Sequence, residues 1–232
     1  MTAASRRAAD ELPGNPGLLD LEYRLSQPAM PWEFHDALEE WTVSVVLKDS
    51  QRRMEGREVG SLTLIRLREN DRYCPLSAAE DYDLELSNTV LGIFDAGYGG
   101  YRQPFKDAVE SPSGDLLVLY RARLDEAWRG FGIGPALAAE AIWTLGGGCC
   151  AAVVAPRPTE RRDDERLTAE EQWRQACVKL DALWESIGFR RYANYDSIYV
   201  LDLTCEESAH LRNLRRKDVD ALAEAYDPTR RR

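Results

Sequence analysis

The chain reads as an α/β layer fold: a mixed, strongly twisted sheet with helices on both sides. Three observations predict it. The stretch DLLVLYRARL (115–124) is apolar on both faces at its start, as a central strand covered on two sides must be. The stretch PALAAEAIWTL (135–145) is apolar almost all round, so its helix is buried against a sheet. From 115 onward the order strand, loop, helix, strand, helix, strand, strand layers helices onto that sheet. At 232 residues, with no internal repeat or dividing linker, one domain over 18–204 is expected.

Residues 1–17 are polar, with two prolines and two glycines, and are expected to form a flexible N-terminal segment. WTVSVVLK (41–48) and VGSLTLIRL (59–67) alternate and are β-branched, with a polar link between them, which predicts a long antiparallel hairpin. Within 77–96, Tyr82, Leu86, Val90 and Phe94 recur at helical spacing. Glycine and aromatic side chains in 96–105 would pack a turn or wall a pocket. Pro135 suits the first turn of the helix that follows the central strand, and GGG (146–148) ends it. CCAAVVA (149–155) is the next strand, and 156–166 a charged loop.

Thr168 and Glu171 have capping-box spacing. The helix they would open carries Trp173, Ala176, Cys177, Leu180, Leu183, Trp184 and Ile187 on one face, and Gly188 closes it. Residues 189–203 read as a closing hairpin turning near Asn194. Residues 205–232 form a helical, basic tail.

Composition narrows the function. The formal charge of −10 argues against a nucleic-acid partner, because an acidic surface repels a phosphate backbone. The runs RNLRRK (212–217) and TRRR (229–232) read as solvated basic faces. The five cysteines are odd in number and form no CxxC pair, which implies free thiols and a cytoplasmic setting. His35 and His210 stand far apart, so no metal site is expected. No apolar run is long enough to span a bilayer, so no membrane partner is expected.

WRGFGIG (128–134) places three glycines at alternate positions between a strand and a helix. It fails the dinucleotide fingerprint, because the third glycine place falls on Pro135 or Leu137, and it lacks the lysine of a phosphate loop. It fits Arg-x-x-Gly-x-Gly through Arg129, Gly132 and Gly134. A helix start carries roughly +0.5 charge with unpaired N–H donors, and a diphosphate suits it. Glycines bring the backbone close, and Arg129 adds a planar cation. A tight turn with no ligand is the plain alternative.

At this point the sequence resembles the GNAT acetyltransferase superfamily. The family's central motif, hydrophobic strand, Val-x-Pro-x-x-Arg-Gly-x-Gly-Ile/Leu-Gly, then helix, appears as LDEAWRGFGIG (124–134). Leu124 takes the valine place and Glu126 the proline place. The family's Leu-Tyr-x-x-x-Gly-Phe appears as LWESIGF (183–189). The resemblance covers roughly 115–203. It implies a three-layer fold with a splay between two central strands, and acetyl-CoA as cosubstrate. The diphosphate would be held by Arg129, Gly130, Phe131, Gly132, Ile133 and Gly134, and the thioester oriented near Leu124.

The implied activity is direct transfer of acetyl from acetyl-CoA to an amine. The acceptor would be a small molecule or peptide, and a homodimer is left open. Trp184 stands where the family often has an acidic tyrosine, and Cys177 where it often has asparagine. Proton transfer would then fall to Glu126 or to a tyrosine of the closing hairpin, Tyr192, Tyr195 or Tyr199. Arg121 and Arg123 share one strand face and would need buried acidic partners or an anionic acceptor. If the chemistry is lost, the same fold would serve as an acyl-CoA-binding or protein-interaction module.

Overall fold

The computed structural model describes residues 7–27, 37–48, 56–69, 74–95, 100–156, 169–192, 198–227 and 229. Seven strands form one sheet in the order β1-β2-β3-β4-β5-β7-β6. These are β1 (Leu19–Leu25), β2 (Leu38–Leu47), β3 (Arg57–Leu67), β4 (Asp115–Leu124), β5 (Cys149–Val154), β6 (Arg190–Arg191) and β7 (Tyr199–Asp202). Strands β1 to β4 are joined antiparallel. β4 and β5 run parallel, and β5, β7 and β6 pair antiparallel. The predicted hairpin is β2–β3. β1, an edge strand half exposed along its length, was not anticipated.

Strand alternation divides the core between the two faces of the sheet. Leu116 and Val118 face a layer built from α1 (Pro75–Tyr82), α2 (Leu84–Val90) and α3 (Gln103–Lys106). Leu117 and Leu119 face α4 (Ile133–Leu145) and the end of α5 (Ala169–Glu185). The helices on both faces and the mixed sheet agree with the α/β layer fold expected from the sequence. The single helix expected over 77–96 is broken at Asp83, whose extended backbone separates α1 from α2 and whose Oδ1 accepts the Leu86 N–H at 2.8 Å. An aspartate is a strong N-cap, so a new helix starts there although no glycine or proline marks the break.

Two expectations about the ends differ from the structure. Residues 7–18 form two 3-10 turns, bury Leu12 completely and pack Gly14 against Leu47 and Trp128. The C-terminal residues form α6 (Glu206–Ala225), which is part of the domain: Leu222 packs into the cluster around Leu12, Trp128 and Phe131. Arg212, from the basic run, donates to Glu140 of α4 at 2.6 and 3.0 Å. The capping pair at Thr168, the turn at Asn194 and most of the charged loop 156–166 lie outside the described residues.

Candidate functional site

The alternating glycines have a simple structural meaning. Phe131 and Ile133 are fully buried with Leu12, Val45, Val59 and Trp128, and so anchor the loop inward. Ahead of each the backbone must turn sharply: Gly130 and Gly132 have φ of 90° and 81°, a region that costs other residues about 1–2 kcal/mol. Gly132 is the N-cap of α4. Gly134 is different. It lies inside the helix, and a Cβ added there would meet nothing within 4 Å.

Among the described residues, none accepts a hydrogen bond from the backbone N–H groups of residues 130–134. A row of unpaired donors at the start of a 13-residue helix is what an oxyanion needs. The N-terminal segment closes one flank. Arg7 donates its N–H to the Gly130 carbonyl at 3.0 Å, and its guanidinium stacks 4.8 Å from the Phe131 ring centroid. Arg7 was invisible to sequence reasoning because it is 123 residues from Gly130.

Arg129 does not stand over the loop as a free fork. Its Nε donates to the Leu124 carbonyl at 2.6 Å, tying the loop to the end of β4. Leu124 sits at that same end, opposite Gly60 of β3. Glu126 is exposed, in a 3-10 turn (Glu126–Trp128) between the strand and the loop.

The splay is the second feature. β4 pairs with β3 along most of its length, but with β5 only from Asp115 to Val118. Among the described residues no strand pairs with the β5 side of β4 from Leu119 to Leu124. The parting coincides with a bulge: Leu64 opposes Leu119 and Thr63 opposes Arg121, which leaves Tyr120 as the extra residue. A bulge bends its strand and re-aims the side chains beyond it. Here it reverses the alternation, so Leu124 joins the cluster around Phe131 instead of the α1–α2 layer.

The expected burial of Arg121 and Arg123 is corrected by this geometry: both are exposed, and Arg121 lies 4.9 Å over the Tyr120 ring. Tyr120 donates to Asp83 and lies 3.5 Å from Glu85 Oε2. Tyr82 meets the Tyr120 ring edge-on at 5.8 Å and donates to Glu40 at 3.0 Å. Burial first, then the neighbouring carboxylate Asp83, pushes the Tyr120 hydroxyl up to about 12.

Of the proton-transfer candidates in the closing hairpin, Tyr192 is core: it is 3 % exposed and donates to the Gly92 carbonyl at 3.2 Å. The Tyr199 oxygen accepts from Arg191 at 3.0 Å. Tyr195 lies outside the described residues. Trp184 is buried edge-on against Phe189, with no acceptor for its Nε1 among the described residues. Cys177 is half-buried. Among the described residues no His, Cys, Asp and Glu cluster could hold a metal ion.

A cavity of about 1100 Å³ opens elsewhere, beside β6, β7 and the start of α6. No residue of the glycine loop lines it, and two of its carboxylates are already engaged, Glu207 by Arg190 and Asp202 by the Glu110 N–H. The unpaired amides and the open strand edge therefore mark the stronger candidate.

No family model matches the chain, and no curated protein does. Solved structures of similar fold include the KacTA–DNA complex (13% identity, TM-score 0.39, 85% of this chain and 99% of that one). They also include AtaT complexed with acetyl-methionyl-tRNAfMet (10%, 0.40, 82% and 99%) and AtaTR bound with AcCoA (12%, 0.38, 84% and 98%). At such identity, what those proteins bind is a property of those proteins. They nevertheless correct one expectation: a protein–DNA complex and a tRNA complex occur among them, so nucleic acid is not to be set aside on net charge. The physical reason is that a formal charge of −10 sums the whole surface, whereas phosphate contact depends on where cations lie. Among the described residues no helix is long and apolar enough to cross a membrane.

Proposed function

We propose that the protein is an acetyl-CoA-dependent acyltransferase that passes the acetyl group directly to an amine. One observation carries the reading: an edge of β4 that no described residue pairs runs from the bulge at Tyr120 to a turn whose amides likewise find no acceptor among the described residues. From Tyr120 to Leu124 and on into the turn, the edge offers roughly 15 Å of extended backbone, comparable with a stretched pantetheine arm. The diphosphate would sit on the amides of 130–134, with Gly134 leaving the approach open. The arm would pair along β4 in place of the missing strand, and the thioester would arrive at the bulge. Arg129 holds the turn to β4; Leu124, which the resemblance set near the thioester, would in this arrangement stand at the diphosphate end, with Glu126 exposed beside it and away from the transfer. Holding amine and thioester together supplies ~7–11 kcal/mol of the barrier, a larger share than one proton-transfer group contributes.

The test is thermal melting with CoA, followed by turnover of acetyl-CoA with three acceptors: spermidine, a lysine-containing peptide with a free α-amine, and methionyl-tRNA. A CoA-dependent rise in melting temperature with amine-dependent thiol release is the expected result. No shift with CoA refutes the reading. A shift without thiol release favours a silent acyl-CoA-binding module, for which the buried Trp184 in the family's tyrosine place is the observation in support.

A further inference from the structure

We infer that Tyr120 is the group that receives the amine's proton during acyl transfer, passing its own hydroxyl proton to Asp83; this rests on the acyltransferase reading. Three placements point there. Tyr120 is the bulged residue at which β4 leaves β5, so the reacting end of an arm lying on that edge comes to it. Its side chain is half-buried and packs with Tyr82 on the α1–α2 side of the sheet, opposite the face that carries α4. Donor and acceptor would then approach the bulge from opposite faces. Its hydroxyl already points its proton at a carboxylate, Asp83, and the Arg121 side chain hydrogen-bonds the same oxygen, which leaves one lone pair to face an incoming N–H.

Asp83 is itself fixed. As N-cap of α2 it accepts the Leu86 N–H with Oδ1 and leaves Oδ2 to Tyr120. The charged and titratable groups around the phenol are Asp83, Glu85, Arg121 and Tyr82, the last with Glu40 behind it. Carboxylates outnumber the one guanidinium, and such a surrounding favours an acceptor that arrives as an ammonium ion. A phenol this resistant to ionisation stays neutral near pH 7, so it acts as a conduit, not as a phenolate.

The step balances. An acceptor arriving as ammonium first gives one proton to water; the neutral amine nitrogen then attacks the thioester carbonyl, the C–N bond forms, the C–S bond breaks, and the electron pair leaves on sulfur. The nitrogen's extra proton moves to the Tyr120 oxygen as the Tyr120 proton moves to Asp83 Oδ2. Asp83 then releases its proton to the departing thiolate or to water. Tyr120 touches the reacting atoms, and Asp83 acts through it.

The experiment compares wild-type protein, Tyr120→Phe and Asp83→Asn with acetyl-CoA and the three acceptors above. Phe keeps the ring packing against Tyr82, and Asn keeps an oxygen for the Leu86 N–H. Expected is a ~10²–10⁴-fold fall in kcat for both variants, with the KM for acetyl-CoA and the CoA-induced melting shift unchanged. Their residual rate should climb with pH as the amine loses its proton to solvent beforehand. Wild-type turnover with unchanged kcat and pH profile in both variants overturns the inference and leaves the acyltransferase reading standing. A wild-type protein that turns over none of the acceptors overturns both.

Discussion

Gly134→Ala separates the proposed ligand-binding role of the glycine loop from its folding role. Gly134 is helical, is not among the glycines with positive φ, and faces space in which a Cβ meets no atom within 4 Å. Alanine there should stabilise the free protein by about 0.4–1 kcal/mol, by lowering the entropy of the unfolded chain. For a domain of this size that is roughly a 1–4 °C rise in melting temperature. If the diphosphate occupies the open space beside Gly134, as proposed, the same methyl group would meet it there. In wild-type protein, CoA at 100 times its Kd adds ~2.7 kcal/mol, roughly 5–10 °C by the same scaling. Differential scanning fluorimetry with and without CoA reads both effects. The variant should melt slightly higher alone and show little or no shift with CoA. A full CoA shift in Gly134→Ala would refute the cradle, and a lower melting point without CoA would show that the space is not open. Gly132→Ala is the control for folding, because its φ of 81° makes any side chain cost about 1–2 kcal/mol.

Further outcomes follow from the same contacts. Asp83→Ala should lose the α2 cap and about 0.5–2 kcal/mol in urea unfolding, while Asp83→Asn stays within a few tenths. Trp184→Phe loses ring volume but removes a buried N–H that has no acceptor, an unmet donor costing about 1–3 kcal/mol; stability should change little and kcat not at all. Burial opposes ionisation of Glu39, but hydrogen bonds from Trp41 and Arg68 and the charges of Arg68 and Arg66 prevail and hold it below its ordinary 4.5. Its contribution is thus present above pH 4.5 and lost as pH falls through the lower folded value, so Glu39→Gln should flatten that part of the acid unfolding curve. Burial first raises both thiols in β5, Cys149 to about 12; mass spectrometry after brief iodoacetamide treatment should therefore find the half-buried Cys74, Cys177 and Cys205 modified before Cys149 or Cys150.

What the sequence disclosed follows a physical line. The bounds of β4 and the helix after the glycine loop were legible because continuous apolar runs have one low-energy use, between two layers. β1 was hidden: Asp20, Glu22 and Arg24 alternate with its apolar residues, and its stability comes from pairing with β2 and from Lys48 reaching Glu22 at 2.6 Å. The break at Asp83 was hidden because helical spacing continues on both sides of it. The docking of residues 7–18 was missed because composition records proline and glycine, but not the groove into which Leu12 fits. Arg129 was assigned by its motif to a ligand, and the structure shows its Nε on the Leu124 carbonyl. A side chain's partner across a turn is a tertiary fact. Tyr120 could not be singled out at all, since one unpaired position in β4 is defined only by its register with β3.

In the proposed function the bulge and the glycine turn are two ends of one device, and neither is sufficient without the other. An anion-binding turn at a helix start would hold a diphosphate and nothing more. An unpaired strand edge alone would be an invitation to another chain. Joined through Leu124, whose carbonyl receives Arg129, they would fix the direction of the proposed extended ligand: charge at the turn, reactive end at Tyr120. The same one-residue insertion that reverses the strand's alternation sets Arg121 against the Tyr120 ring. Strand register, and not a motif, thereby determines which side chains meet at the point where transfer would occur. A chain with the same heptapeptide but an unbulged β4 would therefore present a different set of side chains to the reacting atoms, however well it bound the carrier.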